Sequence, residues 1–306
     1  MNKALLYALL CLATLACEQS KLETPTKGRL RVAVAESHAA LIQKEADEFH
    51  RLYPNAEVTV VSTTTRESMV YLLSDSVQLI VTDRALNAEE QGVADSAGIK
   101  VEELKIAEDA LAAVVNRQNP IEHISLESLK KIVNGRSTDW SELPESKWSG
   151  RIELALTGRN SGAYELLKHT FFNLAEEISL SFIAATQSEV VDFVAAHPQA
   201  IGLVSALWAP NGNDQGQNEA SSTSVRVLAV ADSSAPGEFV KLHQANVYRS
   251  LYPLHYPVYL CSTAGEYSIA AGFSAFIASA TGQKVILNAG LVPATMPVRV
   301  VQIHEE

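Results

Sequence analysis

Residues 29–62 read RLRVAVAESHAALIQKEADEFHRLYPNAEVTVVS, and the changes of period inside this stretch decide the fold class. RLRVAVAE has the apolar character of a strand, and ALIQKEADEFHRLY sets Ile42, Phe49, Leu52 and Tyr53 on one helical face. AEVTVVS then returns to the β-branched composition of a strand. Strand, helix and strand in immediate succession form a βαβ unit, which places the chain in the α/β class.

The alternation continues outward. ESMVYLLSD is helical, VQLIVTD is a strand, and Asn87 opens a helix in NAEEQGVADSAG. After VEELKIAEDALAAVVN, residues 125–135 (SLESLKKIVNG) carry an N-cap candidate at one end and a stop glycine at the other. RSTDWSEL then reads as a polar loop containing Trp140. A second βα series follows: strand RIELALT, a helix over residues 188–197 and strand AIGLVSALWA. Residues 211–223 (NGNDQGQNEASST) have the composition of a surface loop. SVRVLAVAD and PVYLCS are strands, and helical patterns over residues 266–280 and 281–289 close the chain. There is no internal repeat of solenoid period. A chain of 306 residues that starts one α/β unit, builds another and returns suits two lobes, with both ends of the mature chain in the first.

The start of the chain points to export. Lys3 precedes the apolar run ALLYALLCLATLA, which is too short to span a bilayer and matches the core of a signal peptide. The later apolar run IAAGFSAFIASA is also brief and is interrupted by Gly272 and Ser274. TLAC resembles the lipobox of bacterial lipoproteins, in which the cysteine is acylated and becomes the new N-terminus. Thr14 stands where that motif usually has leucine. Residues 1–17 are thus expected as a signal peptide with Cys17 as the lipidation site, and the polar residues 18–27 as a tether. With Cys11 in the signal, Cys261 is left alone in an apolar strand. No internal disulfide is expected; a small buried hydrophobe is the simple reading of Cys261, with a catalytic thiol as the alternative.

A net charge of -11 and the lack of a basic run exclude a nucleic-acid strand as partner. A small anion would have to be held by local dipoles and one or two cations. Four strand-to-helix junctions could do so. In LTGRNSGAYELLKHTFF, Arg159, Asn160, Ser161 and Gly162 separate an apolar strand from an amphipathic helix. The first amides of a helix lack intrahelical partners, so a Ser/Gly turn there makes an anion seat. Arg159 would add a charge-assisted grip, and Ser161 a hydroxyl donor. The plainer alternative is that Ser161 is an N-cap and Arg159 a solvated loop residue. IVTDRAL presents Thr82, Asp83 and Arg84, VSTTTRES presents the four hydroxyls of residues 62–65 and Arg66, and AESHAAL presents Glu36 and Ser37. All four junctions fall at the carboxyl ends of strands, where open α/β sheets bind ligands.

Enzyme signatures are missing at these places. A nucleophile elbow needs glycine two positions either side of its serine, but Arg159 and Ala163 flank Ser161. There is no P-loop lysine followed by Ser or Thr. The eight histidines have no metal-binding spacing, so His38, His50 and His169 read as surface or packing residues.

Several segments share the order of a known family. VTDRALNAEE, ALAAVVNRQNP, LKKIVNGRSTDWSEL, GRNSGAYELLKHTFF, VAAHPQAIGLVS, YPLHYPVYL and ATGQKVILNAGLVP resemble, in sequence, segments of the periplasmic phosphate-binding proteins that serve ABC-type phosphate transporters. That resemblance implies the type II periplasmic-binding-protein fold, an α/β architecture of two lobes, each a mixed sheet flanked by helices, joined by a two-strand hinge. Lobe 1 would take residues 28–110 and 256–306, and lobe 2 residues 111–255. It implies a monomeric, non-enzymatic binder of inorganic phosphate, without cofactor or metal. The protein would be lipid-anchored at the periplasmic or extracellular face, and its partners would be the membrane and the membrane subunits of an ABC transporter.

The phosphate-binding residues carried over are Ser37, Thr64, Thr65, Asp83, Arg159, Ser161 and Gly162. The family usually spaces the arginine and serine further apart and has threonine where Ala163 stands. It also has glycine-rich loops where this chain has AESH and STTTRES, so Glu36 would bring negative charge that Arg66 offsets. Asp83 implies a specific selectivity. A carboxylate repels a bound anion unless the ligand brings a proton to share, which hydrogenphosphate does and sulfate does not. Asp83 capping its turn or pairing with Arg84 remains the structural alternative. Functional alternatives are another oxyanion, a phosphorylated small molecule, a phosphate-ester hydrolase, or a sensory or interaction module on the same fold.

Overall fold

A computed structural model describes residues 23–171, 178–210, 224–232, 235 and 237–295. The signal peptide, Cys17 and the whole of the surface loop 211–223 lie outside them. Strand β1 (Gly28–Ala35), helix α1 (Ala39–Leu52) and strand β2 (Ala56–Thr63) form the βαβ unit, with β1 and β2 parallel from Gly28↔Ala56 to Ala35↔Thr63. The buried stripe of α1 is Leu41, Ile42, Glu45, Ala46 and Phe49. Leu52 and Tyr53, expected on that face, are 43% and 37% exposed, because the helix ends there and Tyr53 is already its C-cap. Phe49 fixes the packing instead, with ring centroids 5.3 Å from both Phe273 and Phe276.

Helix α2 (Thr65–Leu73) begins with a capping box of Thr64 and Glu67, strand β3 (Leu79–Thr82) is buried throughout, and helix α3 (Ala88–Ala97) has a second capping box of Asn87 and Glu90. Each box satisfies two first-turn donors reciprocally, which sets both helix starts sharply. The long strand β4 (Glu102–Asn116) leads to β5 (His123–Ser125) and α4 (Leu126–Val133), which Ser125 caps. The expected polar loop at Trp140 is instead a 3-10 turn, residues 140–142. Its indole is fully buried and donates Nε1–H to the Gln199 carbonyl at 3.0 Å.

Strand β6 (Glu153–Thr157), α5 (Gly162–Phe171), β7 (Phe182–Ala184), α6 (Gln187–Ala196) and β8 (Ala200–Ser205) make the second α/β series. Short strands β9 (Val225–Val227), β10 (Ala229–Ala231) and β11 (Phe239–Val240) and helix α7 (Gln244–Tyr248) precede the returning strand β12 (His255–Ser262). Helices α8 (Ile269–Ala278) and α9 (Ala280–Asn288) and strand β13 (Val292–Pro293) complete the described chain.

The main sheet runs β2-β1-β3-β12-β4-β8-β6-β7, with β9 and β13 also on β4. It is mixed: β12 is antiparallel to both β3 and β4, whereas the pairs β1/β2, β1/β3, β6/β7 and β6/β8 are parallel. β4 pairs with β12 over residues 102–110 and with β8 over residues 111–115, so one strand belongs to both halves of the sheet. Close beside that change of partner, Leu111 N–H donates to the Leu254 carbonyl at 2.8 Å and the Tyr252 hydroxyl to the Leu111 carbonyl at 3.2 Å.

Residues 23–27, expected as part of a tether, are folded back on the body. Thr24 and Lys27 bridge each other, and Glu23 caps the Ile269 N–H at 2.8 Å. The Pro25 carbonyl lies so close to Gly272 that a Cβ there would sit 1.8 Å from it. Cys261 is fully buried in β12, with burial foremost in pushing its thiol up to about 12, which leaves it an inert apolar side chain.

Candidate functional site: a cavity at three helix N-termini

A cavity of about 40 Å³ lies at the carboxyl ends of β1, β2, β3 and β6, on the scale of a small ion rather than of a nucleotide. Into it turn Glu36 and Ser37 after β1, residues 63–65 after β2, Asp83 after β3 and Thr157 at the end of β6. The first residues of α2 (Thr65), α5 (Gly162 and Ala163) and α6 (Gln187) also border it. Three helix N-termini therefore converge on one small space, each directing a partial positive charge toward it. No lysine or arginine is among the cavity-lining residues. The attraction for an anion is built from dipoles and hydrogen-bond donors.

Asp83 is the most constrained group at this wall. Oδ1 accepts from the Ser37 hydroxyl at 3.1 Å and lies 2.9 Å from His38 Nδ1, while Oδ2 accepts from the Thr65 hydroxyl at 2.8 Å. His38 is fully buried, and its Nε2 meets Asp109 Oδ2 at 3.0 Å. Asp109 also accepts from the hydroxyls of Ser205 and Tyr256 and from the amides of Ala110 and Ala206. Burial alone would push the imidazole pKa down, but the two flanking carboxylates outweigh it and raise it to about 10. His38 is therefore an imidazolium at neutral pH. For Asp83 burial is likewise the largest influence and upward, and the His38 charge with the hydrogen bonds from His38, Thr65 and Ser37 reverses it, so the carboxyl ends below its usual range.

Asp83 also explains Gly162. A Cβ at position 162 would lie 1.9 Å from Asp83 Oδ2 and 2.4 Å from its Cβ and Cγ, so only glycine lets the first residue of α5 approach the carboxylate. Arg84, the alternative partner for Asp83, is engaged elsewhere. Its guanidinium meets both oxygens of Glu90, at 2.6 and 2.9 Å, and reaches Glu165 of α5. The backbone joins the same two halves where Arg66 N–H donates to the Asn160 carbonyl at 3.2 Å.

Glu36 is half-buried and turns toward α6. Both of its oxygens lie 3.1 Å from the Gln187 amide, the first of that helix. Burial is the main cause that pushes its carboxyl up to about 7, with Asp83 and Glu189 adding to the rise and the Gln187 N–H and His38 opposing it.

Of the residues expected to bind, Ser37, Thr64, Thr65, Asp83, Ser161 and Gly162 border this cavity. Arg159 is exposed and is not among the cavity-lining residues, because it sits in the turn before α5 rather than on the helix start. Several of the hydroxyls are spent within the protein: Ser37 and Thr65 on Asp83, Thr64 on Glu67, and Ser161 on the Thr157 carbonyl while it caps the Tyr164 amide. The exception was missed in the sequence. Thr157 Oγ1 is buried, lines the cavity and has no hydrogen-bond partner among the described residues. Its place as the last residue of β6, directly before the junction, was the available signal. His38 was also misread as a surface or packing residue, because its partners lie far away in the sequence at positions 83 and 109. Among the described residues, no cluster of His, Cys, Asp or Glu could hold a metal ion.

Helix N-termini gathered at the carboxyl ends of a mixed α/β sheet, around a small space with hydroxyl and amide donors, are the setting in which open α/β proteins hold small anions. The chain belongs to the PBP superfamily, whose domain it matches over residues 19–281. It is similar to the phosphate-binding protein PstS of Pseudomonas aeruginosa, 24% identical over 289 residues, covering 90% of this chain and 85% of that one. A match to PstS of Staphylococcus haemolyticus, 23% identical over 143 residues, spans 46% of this chain and only 45% of the relative. In three dimensions it is similar to a protein from Clostridium perfringens solved with bound phosphate, with a TM-score of 0.72, 19% identity and coverage of 87% and 100% of the two chains. An ABC-type phosphate transport receptor from Vibrio cholerae gives a TM-score of 0.66, also at 19% identity, covering 87% and 100%.

Proposed function

We propose that this chain is a non-enzymatic, extracytoplasmic solute-binding protein that captures inorganic phosphate in the cavity and delivers it to the membrane subunits of an ABC-type transporter. The observation that carries the reading is the convergence of the α2, α5 and α6 N-termini beside Asp83, which sits as an acceptor among donors. An oxyanion would take the first amides of α2 and α5 and the Thr157 hydroxyl, and would donate a hydrogen bond to Asp83 through a proton that it keeps. Sulfate has no proton to give and would face an uncompensated carboxylate. The named relatives bind or transport phosphate according to their own descriptions, which supports the same ligand.

The chain is read as two lobes, residues 28–110 with 256–306 and residues 111–255, that close on the ligand about the β4 and β12 crossings. The exchange of β4 partners near residue 110 supports that division. Ligand would favour the closed arrangement in proportion to the contacts it makes only there. Acylation at Cys17 would hold the protein at the membrane face. Titration calorimetry on protein freed of endogenous phosphate tests the ligand: saturable heat with phosphate and none with sulfate is expected. Absence of a response to phosphate refutes the assignment.

A further inference from the structure

The cavity has two carboxylates in its wall, not one. Asp83 comes from the end of β3 and Glu36 from the end of β1, and no basic side chain lines the space between them. Asp83 has an imidazolium behind it, 2.9 Å away. Among the described residues, Glu36 is held by the Gln187 amide alone, which both its oxygens share. The charged groups facing Glu36 from the elements around it are Asp83, Glu189 in the first turn of α6, and His38 in the turn before α1; two of the three are negative.

Hydrogenphosphate carries a single proton, and one acceptor, Asp83, uses it. A dianion placed among these groups would then meet the second carboxylate with nothing to share. We infer that Glu36 is a specificity-determining residue that makes the cavity bind phosphate together with one additional proton, held between the Glu36 carboxyl and a ligand oxygen. The proton comes from solution when the dianion binds, or arrives on the ligand when dihydrogenphosphate binds, and no covalent bond is made or broken. A carboxyl already pushed up to about 7 is poised to accept it near neutrality. The bound species is then monoanionic overall, which suits a site whose positive charge comes from helix ends and the one imidazolium behind Asp83. The inference rests on the phosphate reading of the cavity.

Calorimetry with inorganic phosphate from pH 6 to pH 9, in buffers of different ionisation enthalpy, counts the protons taken up on binding. The unmodified protein is expected to take up about one proton per phosphate at pH 8.5, with affinity falling about tenfold per pH unit there. Glu36→Gln keeps an oxygen acceptor for the Gln187 amide and presents an NH2 donor to the ligand. It is expected to lose the uptake, flatten the pH dependence and bind at least tenfold tighter than the unmodified protein at pH 8.5. Glu36→Thr, a smaller change of the same sense, should also lose the uptake. Unchanged proton uptake in both variants overturns the inference, and a uniform loss of affinity with unchanged uptake assigns Glu36 to holding α6 instead. Absence of phosphate binding at every pH in all three proteins overturns the phosphate reading itself, and the role of Glu36 with it.

Discussion

Replacing His38 by alanine tests whether the imidazolium between Asp83 and Asp109 holds the base of the cavity together. The variant leaves Asp83 with the Ser37 and Thr65 hydroxyls, while Asp109 keeps two hydroxyls and two amides. Asp109 is therefore still well satisfied and Asp83 carries most of the cost. Breaking a buried ion pair by removing one partner typically costs about 3–5 kcal/mol. The rise of the His38 pKa from 6.5 to about 10 corresponds to ~5 kcal/mol at about 1.4 kcal/mol per pKa unit, which marks the top of that range. The sign in pH follows from the raised value. The contribution is fully present below about pH 6.5 and is lost as pH rises through about 10, with a lower limit where Asp83 protonates, below its usual range. Urea denaturation at pH 5.5, 7, 8.5 and 10 should show the largest gap between the two proteins at the first two values and a small one at the last. At about 2–4 °C per kcal/mol, the melting temperature at pH 7 should fall by roughly 6–20 °C. His38→Gln, which restores a donor without a charge, should recover only part of this. A gap under about 1 kcal/mol, set against the range for buried pairs, or one that stays constant across the pH series, would show that His38 is a neutral packing residue.

Asp83→Asn removes the acceptor that discriminates by ligand proton, and the preference for phosphate over sulfate should drop by tenfold or more, about 1.4 kcal/mol, in parallel titrations; unchanged selectivity would make Asp83 purely structural. Thr157→Val deletes the cavity-lining hydroxyl that lacks a protein partner. It should weaken phosphate binding by about 0.5–1.5 kcal/mol without lowering the melting temperature, because nothing in the protein loses a bond. Gly162→Ala puts a methyl 1.9 Å from Asp83 Oδ2 and should cost roughly 1–3 kcal/mol of stability by overpacking, with a loss of anion affinity in the same calorimetric assay. Glu45 in α1 is fully buried, both its oxygens lack partners among the described residues, and burial, with Glu48 adding to it, pushes its carboxyl up to about 9. Its effect is a loss of stability as pH rises from about 4.5 toward 9. Glu45→Met should stabilise by about 1–3 kcal/mol at neutral pH, measured by urea denaturation, and by more as the pH is raised.

The α/β character was legible because it is written locally. The period change at residues 29–62 and the caps at Asn87 and Ser125 involve neighbours within one turn, and the structure has each of them. The polar composition around Trp140 misled for the opposite reason: its burial depends on the Gln199 carbonyl, which arrives from another element. The site divides in the same way. Junction residues at strand ends were readable, since topology alone sends Ser37, Asp83 and Gly162 toward one rim. The His38–Asp83–Asp109 arrangement was not, because it joins groups from three separate elements. Glu36 was noticed as a misplaced charge, but its engagement with the first amide of α6 needs the fold. Arg159 had the right chemistry for an anion, and its displacement by the turn geometry before α5 is not visible in a string of residues.

The position of β12 has a consequence for when this molecule can fold. Its residues 259–262 pair with positions 79–82, and residues 255–262 pair with 102–110, so the sheet carrying β1, β2 and β3 is finished only by a strand far downstream of them. Contacts between positions so remote close large loops, which slows the search for the native pairing. A nascent chain still lacking residues 255–262 would hold β3 with one edge open and Asp109 without its Tyr256 partner. Such a polypeptide stays loosely organised until residues 255–262 have been made, the condition in which a chain can be threaded through a narrow translocation pore before it locks into shape.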